Sequence, residues 1–300
     1  MQRSLEIFAF RECETLAREV ANQLDLDLRL VDVHAFPDGE SLVRIKCDTS
    51  GPVLLFRSLD HPNDRLVELL LAADGLRRQG VQEIRLVCPY LGYMRQDRVF
   101  EPGQALSQVV IAGLLGKAFD DVLTVEAHLH RIQALSEVFP CPARSISAAL
   151  VIASWLRAHT QADVIIGPDA ESEPWVKAIA KEANLDWRVA SKCRRGDREV
   201  EVELPVLPNG ARSAFIVDDV GSSGVTLEAV AKILRGRGVP EIGAIVVHAL
   251  FDADTPERLR KSGIDLLVSA NSISHPSNQI SLASLLAEEI ERRSPQDEVV

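Results

Sequence analysis

The 300-residue chain is 46% hydrophobic and 26% charged, which supplies a core for one large α/β domain or two of about 150 residues and excludes disorder. A net charge of -11 and a pI near 5.2 argue against a nucleic-acid or anionic-membrane binder, so a bound anion must meet a local basic cluster. Neither a signal-like start nor an apolar run of about 18 residues is present, and a soluble cytoplasmic protein is expected.

Aliphatic runs alternate with helical patterns almost from end to end. Residues 5–10 read as a strand, followed by a helix to about Leu24; further strands are expected at 53–56, 84–88 and 122–125. The segment Phe139-Pro140-Cys141-Pro142-Ala143 breaks the pattern, a helix restarts near Ser147, and strands follow at 164–166, 187–190, 199–204, 214–217 and 245–247. Most of these strands are too apolar for a sheet with one wet face, so doubly wound parallel sheets covered by helices are expected, with ligands beyond the carboxyl ends of the strands. The domains expected are 1–143 and 144–280, with an amphipathic helix in 281–300, carrying Leu282, Leu285, Leu286 and Ile290, packing back on the first. Five cysteines without a Cys-x-x-Cys pair speak against a disulfide framework or zinc site; only Cys193, between Lys192 and Arg194, has neighbours that would activate a thiol.

Three strand ends carry chemistry. Phe215-Ile216-Val217 runs into Asp218-Asp219, then Val220-Gly221-Ser222-Ser223-Gly224-Val225-Thr226. Two carboxylates about 6 Å apart repel by roughly 3 kcal/mol at an effective dielectric near 20, so the pair wants hydroxyl donors or a cation. Ser222, Ser223, Gly224 and Thr226 provide hydroxyls and close backbone approach at a helix amino terminus, which suits a phosphate; simple capping by Ser223 or Thr226 is the plainer alternative. After the strand at 84–88, Arg95, Gln96, Asp97 and Arg98 concentrate groups that can grip phosphate or a nucleobase, or can form a solvated turn. The third is the basic stretch from Lys192 through Arg194 and Arg195, which could be a hairpin exposed to water.

The string 218–226 resembles the phosphoribosyl-diphosphate-binding loop shared by type I phosphoribosyltransferases and pyrophosphokinases, with Val225 where glycine is common. The Arg95-Gln96-Asp97-Arg98 string resembles the ribose-phosphate pyrophosphokinase family and is foreign to simple phosphoribosyltransferases. Further matches fall in the family's order over about residues 1–275. The resemblance implies two similar doubly wound parallel-sheet domains of type I phosphoribosyltransferase fold, the first serving ATP and the second ribose 5-phosphate. It implies adenine contact by Phe36, Asp38 and Glu40, ATP anchoring by Arg95, Gln96, Asp97 and Arg98, and a metal environment of His128 and Asp169 for Mg2+. It also implies ribose 5-phosphate contact by Asp218, Asp219, Ser222, Ser223, Gly224 and Thr226, and closure of Lys192 and Arg194 over the transferring phosphates.

The reaction implied is transfer of the β,γ-diphosphate of Mg-ATP to C1 of ribose 5-phosphate, giving 5-phosphoribosyl 1-diphosphate and AMP, in a homodimer or larger homo-oligomer with no nucleic-acid or membrane partner. The alternatives are a pyrophosphokinase for another pentose phosphate, a phosphoribosyltransferase, or a catalytically silent subunit that regulates a synthetase. Glu126 replaces the family's usual aspartate, and Glu171-Ser172 stands where two glycines are common, which bears on the sugar preferred. The segment 99–107 is shorter and less basic than the nucleotide-inhibition segment of the common bacterial and animal enzymes. It resembles the archaeal-type variant, implying weak or absent ADP inhibition and little need for free phosphate.

Overall fold

A computed structural model describes residues 5–47, 51–129, 131–195 and 199–292, without the side chains of 192–195 and 199–201. The chain divides into two compact units, one running to Ile146 and completed by the C-terminal helix, the other being Ser147–Ser281.

The strands of the first unit are β1 (Glu6–Ala9), β2 (Leu28–Leu30), β3 (Asp32–Ala35), β4 (Ser41–Arg44), β5 (Val53–Phe56), β6 (Ile84–Cys88), β7 (Asp121–Val125) and β8 (Ala143–Ile146). Six of them form a parallel sheet in the order β2-β1-β5-β6-β7-β8. Every residue of β5 and β7 is buried, as expected where helices cover both faces of a parallel sheet. The helices are α1 (Glu14–Leu24), α2 (Pro62–Arg78) and α3 (Ser107–Ala118). α1 turns Leu16, Ala17, Val20 and Ala21 inward at helical spacing. The C-terminal helix Ala283–Glu291 buries Leu286, Ala287 and Ile290, packs against α1, and is tied to β8 by a 3.0 Å ion pair from Arg144 to Glu289; Leu285 is half-buried.

The second unit contains β9 (Val164–Gly167), β10 (Asp186–Val189), β11 (Ser191–Arg195), β12 (Glu199–Glu203), β13 (Ser213–Gly221), β14 (Glu241–Ala249), β15 (Leu266–Ala270) and β16 (Asn278–Ile280). Its helices are α4 (Ala149–His159), α5 (Glu173–Ala183), α6 (Val225–Gly236) and α7 (Thr255–Lys261). The parallel order is β10-β9-β13-β14-β15-β16, which repeats the order of the first unit strand for strand. Each unit also inserts one antiparallel hairpin between its edge strand and its third sheet strand, β3–β4 in the first and β11–β12 in the second. Two similar doubly wound sheets were expected, and two are found.

Apart from the β3–β4 hairpin, the strands without a sequence signal lie toward the sheet edges. β2, β8, β15 and β16 are three to five residues long and each keeps positions that are only partly buried, because an edge or near-edge strand is covered less completely than a central one. Among the described residues no helix is long and apolar enough to cross a membrane.

Candidate functional site

In the second unit the chain reverses its direction of travel across the sheet between β9 and β13, the place where doubly wound sheets open a crevice. Asp169 follows β9, and Asp218 and Asp219 lie near the end of the neighbouring β13. The carboxyl of Asp218 is held well above the usual carboxylate range, first by burial and then by the charges of Asp219 and Asp169. The ladder thus gathers three acids at one strand edge, with the Asp219 amide donating to Asp218 Oδ1 at 3.0 Å. A hydroxyl-rich or cationic ligand would relieve their crowding.

The loop after Asp219 enters α6 through Gly224, whose φ of +74° is the left-handed conformation that favours glycine. A Cβ there would come within 2.9 Å of Thr255 Cγ2, so both the backbone and the packing require glycine. No side chain caps α6, and the amides of Gly224, Val225, Thr226 and Leu227 have no hydrogen-bond partner among the described residues. Ser222 and Ser223 are exposed beside them. A helix start left open in this way is suited to an anion. Val225, 63% exposed, is the first helical residue, so its side chain points into open space and the loop's conformational demand falls on Gly224 instead.

The two residues that depart from the family pattern after Asp169 take separate paths. Ser172 donates its hydroxyl to the Asp169 carbonyl at 2.6 Å and packs over Gly167, while Glu171 is exposed.

In the first unit the corresponding crevice is filled. Arg57, only 4% exposed at the end of β5, pairs with Glu12 at 2.9 Å and with Glu68, and its guanidinium lies 3.7 Å from the Phe10 ring centroid. Glu68 also accepts from Ser41 of β4 at 2.7 Å, which anchors the first hairpin to α2. The candidate ligand groups lie instead after β6 and β7. Arg95 is exposed and forms no ion pair among the described residues; Arg98 stacks 4.1 Å from the Phe100 ring centroid. Gln96 Oε1 accepts from Ser107 at 3.0 Å, which fixes the side chain while leaving its NH2 group and a second lone pair of the oxygen for a ligand. Asp97 faces inward and pairs with Arg131. His128 is half-buried in the loop after β7.

Non-glycine residues with positive φ cluster along this edge: His61 after β5, Tyr93 after β6 and Glu126 after β7. The other two among the described residues, Asp25 and Asn184, are ordinary helix C-caps. Strain held at three successive strand ends of one sheet is a mark of a functional rim.

Phe36, Asp38 and Glu40 occupy the exposed tip of the β3–β4 hairpin. There the Phe36 amide donates to Glu40 at 2.7 Å, the Glu40 amide to Asp38 Oδ1 at 3.1 Å, and the Phe36 ring meets His34 edge-on. Lys192 and Arg194 lie on β11, opposite Val202 and Val200 of β12; their side chains, with that of Cys193, lie outside the described residues. Among the described residues no three His, Cys, Asp or Glu side chains form a ready metal cage.

The sequence model described as the N-terminal domain of ribose phosphate pyrophosphokinase matches residues 5–118, and the phosphoribosyl transferase domain matches 143–276. A ribose-phosphate pyrophosphokinase from Methanopyrus kandleri is 31% identical, the match covering 96% of this chain and 99% of that protein. One from Maricaulis maris is 34% identical, with 95% of each covered. The chain belongs to the ribose-phosphate pyrophosphokinase family. The fold agrees: the crystal structure of phosphoribosylpyrophosphate synthetase from Mycobacterium smegmatis superposes with a TM-score of 0.83 at 24% identity, covering 96% of this chain and 98% of that one.

Within this ribose-phosphate pyrophosphokinase, three arginines escaped the sequence reading: Arg57, Arg131 and Arg258. Each acts on loops through a long-range contact, Arg258 by donating to the Ser223 carbonyl. Only Arg131 carried a local hint, since it adjoins the histidine segment 128–130.

Proposed function

We propose that this pyrophosphokinase binds Mg-ATP through its first unit and ribose 5-phosphate through its second, and transfers the β,γ-diphosphate of ATP to the sugar's C1 hydroxyl with release of AMP. The observation that carries the sugar assignment is the pairing, at one strand edge, of three crowded carboxylates with an uncapped helix start. Acids accept from vicinal hydroxyls and bare amides donate to a phosphate, so a phosphorylated sugar uses both.

Asp218 and Asp219 hold the ribose hydroxyls; Ser222, Ser223, Gly224 and Thr226 hold the 5-phosphate. Phe36, Asp38 and Glu40 meet the adenine, and Arg95, Gln96 and Arg98 grip the phosphates of ATP, with Asp97 setting the loop that carries them. The exposed hairpin tip is suited to adenine shared with a second copy in a homo-oligomer. Mg2+ keeps waters and substrate phosphates in its shell and asks for few protein carboxylates, which suits Asp169 of the second unit; His128 of the first unit is the other residue the family resemblance assigns to the metal. When bound it neutralises charge on the polyphosphate. Lys192 and Arg194 stabilise charge on the transferring oxygens, and in-line positioning does most of the rest, since the loose transition state of phosphoryl transfer asks little of a general base.

The test is AMP formation from ATP and Mg2+ with ribose 5-phosphate and a panel of other pentose phosphates. Preferred turnover of ribose 5-phosphate is expected. AMP formed only with a different pentose phosphate would overturn the sugar assignment, and none with any would overturn the reaction.

A further inference from the structure

The loop entering α6 is shaped from outside by α7. Arg258 donates through Nη2 to the Ser223 carbonyl and through Nε to Glu228 at 3.2 Å, while its Nη1 lies 3.8 Å from Asp252. Asp252 in turn accepts from the Thr255 amide at 2.8 Å and from the Thr255 hydroxyl. Thr255 is fully buried and, with Leu259, is what a side chain at position 224 would strike. One short helix therefore sets both the carbonyl before Gly224 and the space around it.

A trans peptide unit is planar, and its C=O and N–H point opposite ways. Drawing the Ser223 carbonyl toward α7 therefore turns the Gly224 N–H away from α7. Were this peptide to flip, a carbonyl oxygen would replace an N–H there and repel an anion.

We propose that Arg258 is a positioning residue for the phosphate end of the sugar substrate, acting by holding the Ser223–Gly224 peptide in its anion-binding orientation. The inference rests on the reading of residues 218–226 as the ribose 5-phosphate cradle. It assigns to Arg258 a purpose beyond stability, since an ion pair at a side chain 42% exposed contributes little to the folded state.

The experiment compares Arg258→Met, Arg258→Lys and Asp218→Asn in the full-length protein, measuring kcat, KM for each substrate and thermal melting. Arg258→Met is expected to raise KM for ribose 5-phosphate by about 10–100-fold, the range for losing one hydrogen bond to a charged group. KM for ATP should move by less than about twofold and Tm by less than about 2 °C, small changes for a partly exposed pair. Arg258→Lys, which keeps a charged donor but not the planar fork, should recover part of the loss. An unmoved ribose 5-phosphate KM in Arg258→Met, with Asp218→Asn impaired, would overturn the positioning role while leaving the cradle in place. Equal rises in both KM values with a lowered Tm would overturn it as general loosening. If neither Arg258→Met nor Asp218→Asn moved the ribose 5-phosphate KM, cradle and clamp would both fall.

Discussion

Asp97 and Arg131 meet in a 2.6 Å ion pair that joins the loop after β6 to the loop after β7, with the aspartate side chain only 1% exposed. The pair links the Arg95–Arg98 string to the histidine segment, which makes Asp97 a brace between the two loops. Asp97→Ala should raise KM for ATP roughly tenfold and destabilise the protein by about 1–3 kcal/mol, the cost of leaving a charged partner unmet. Steady-state kinetics and denaturant titration check this, with KM for ribose 5-phosphate nearly constant as the control.

Asp218 gives a pH dependence of definite sign. Its folded pKa is raised above the unfolded value, so the stability tied to its protonated form is present at low pH and is lost as pH rises through the folded pKa. Asp218→Asn, which cannot ionise, should therefore melt above the wild type in the absence of ligand, by roughly 2–4 °C at pH 8, and this gain should shrink toward pH 4. Thermal melts across pH decide the matter; a gain that grows toward acid would contradict the cause assigned. The same variant should bind ribose 5-phosphate poorly, because activity and apo stability pull in opposite directions at a crowded acidic site.

Lys192→Ala should lower kcat by roughly two to four orders of magnitude while ATP binding changes little, if the lysine acts on charge that develops only in transfer. Single-turnover measurements with saturating ATP separate the two quantities. An unchanged kcat would remove Lys192 from the chemistry.

Thiol reactivity should follow burial. Burial pushes the Cys13 thiol up to about 11 and raises that of Cys88 as well; Cys13 Sγ also accepts from the Ser58 amide at 3.1 Å. Thiolate, the reactive form, is therefore scarce at both. Alkylation at pH 8 followed by peptide mass analysis should leave Cys13 and Cys88 unlabelled until the protein unfolds, with the half-buried Cys47 and Cys141 modified earlier.

The segment after Arg98 closes on itself: Gln104 Oε1 accepts from the Phe100 amide at 3.0 Å and the Glu101 amide at 3.3 Å. A turn this self-contained leaves few donors for an inhibitory nucleotide. ADP should inhibit only by competing with ATP, and free phosphate should not be needed for activity; initial-rate inhibition patterns test both.

Much of this protein is written locally. The runs at 53–56, 122–125 and 164–166 are uniformly apolar because central parallel strands are buried on both faces, so their identity needs no knowledge of their neighbours. The string from Asp218 to Thr226 is likewise readable, since a carboxylate pair, a left-handed glycine and a helix start are consecutive in the chain. Tertiary structure alone decided which strand ends became neighbours. Asp169 lies near Asp218, 49 positions later in the sequence, because β9 pairs with β13 in register. That pairing depends on backbone hydrogen bonds, which carry no residue signature. The same holds for the Arg258 grip on Ser223 and the Arg131 grip on Asp97: each is a contact between distant segments, formed only once the chain has closed on itself.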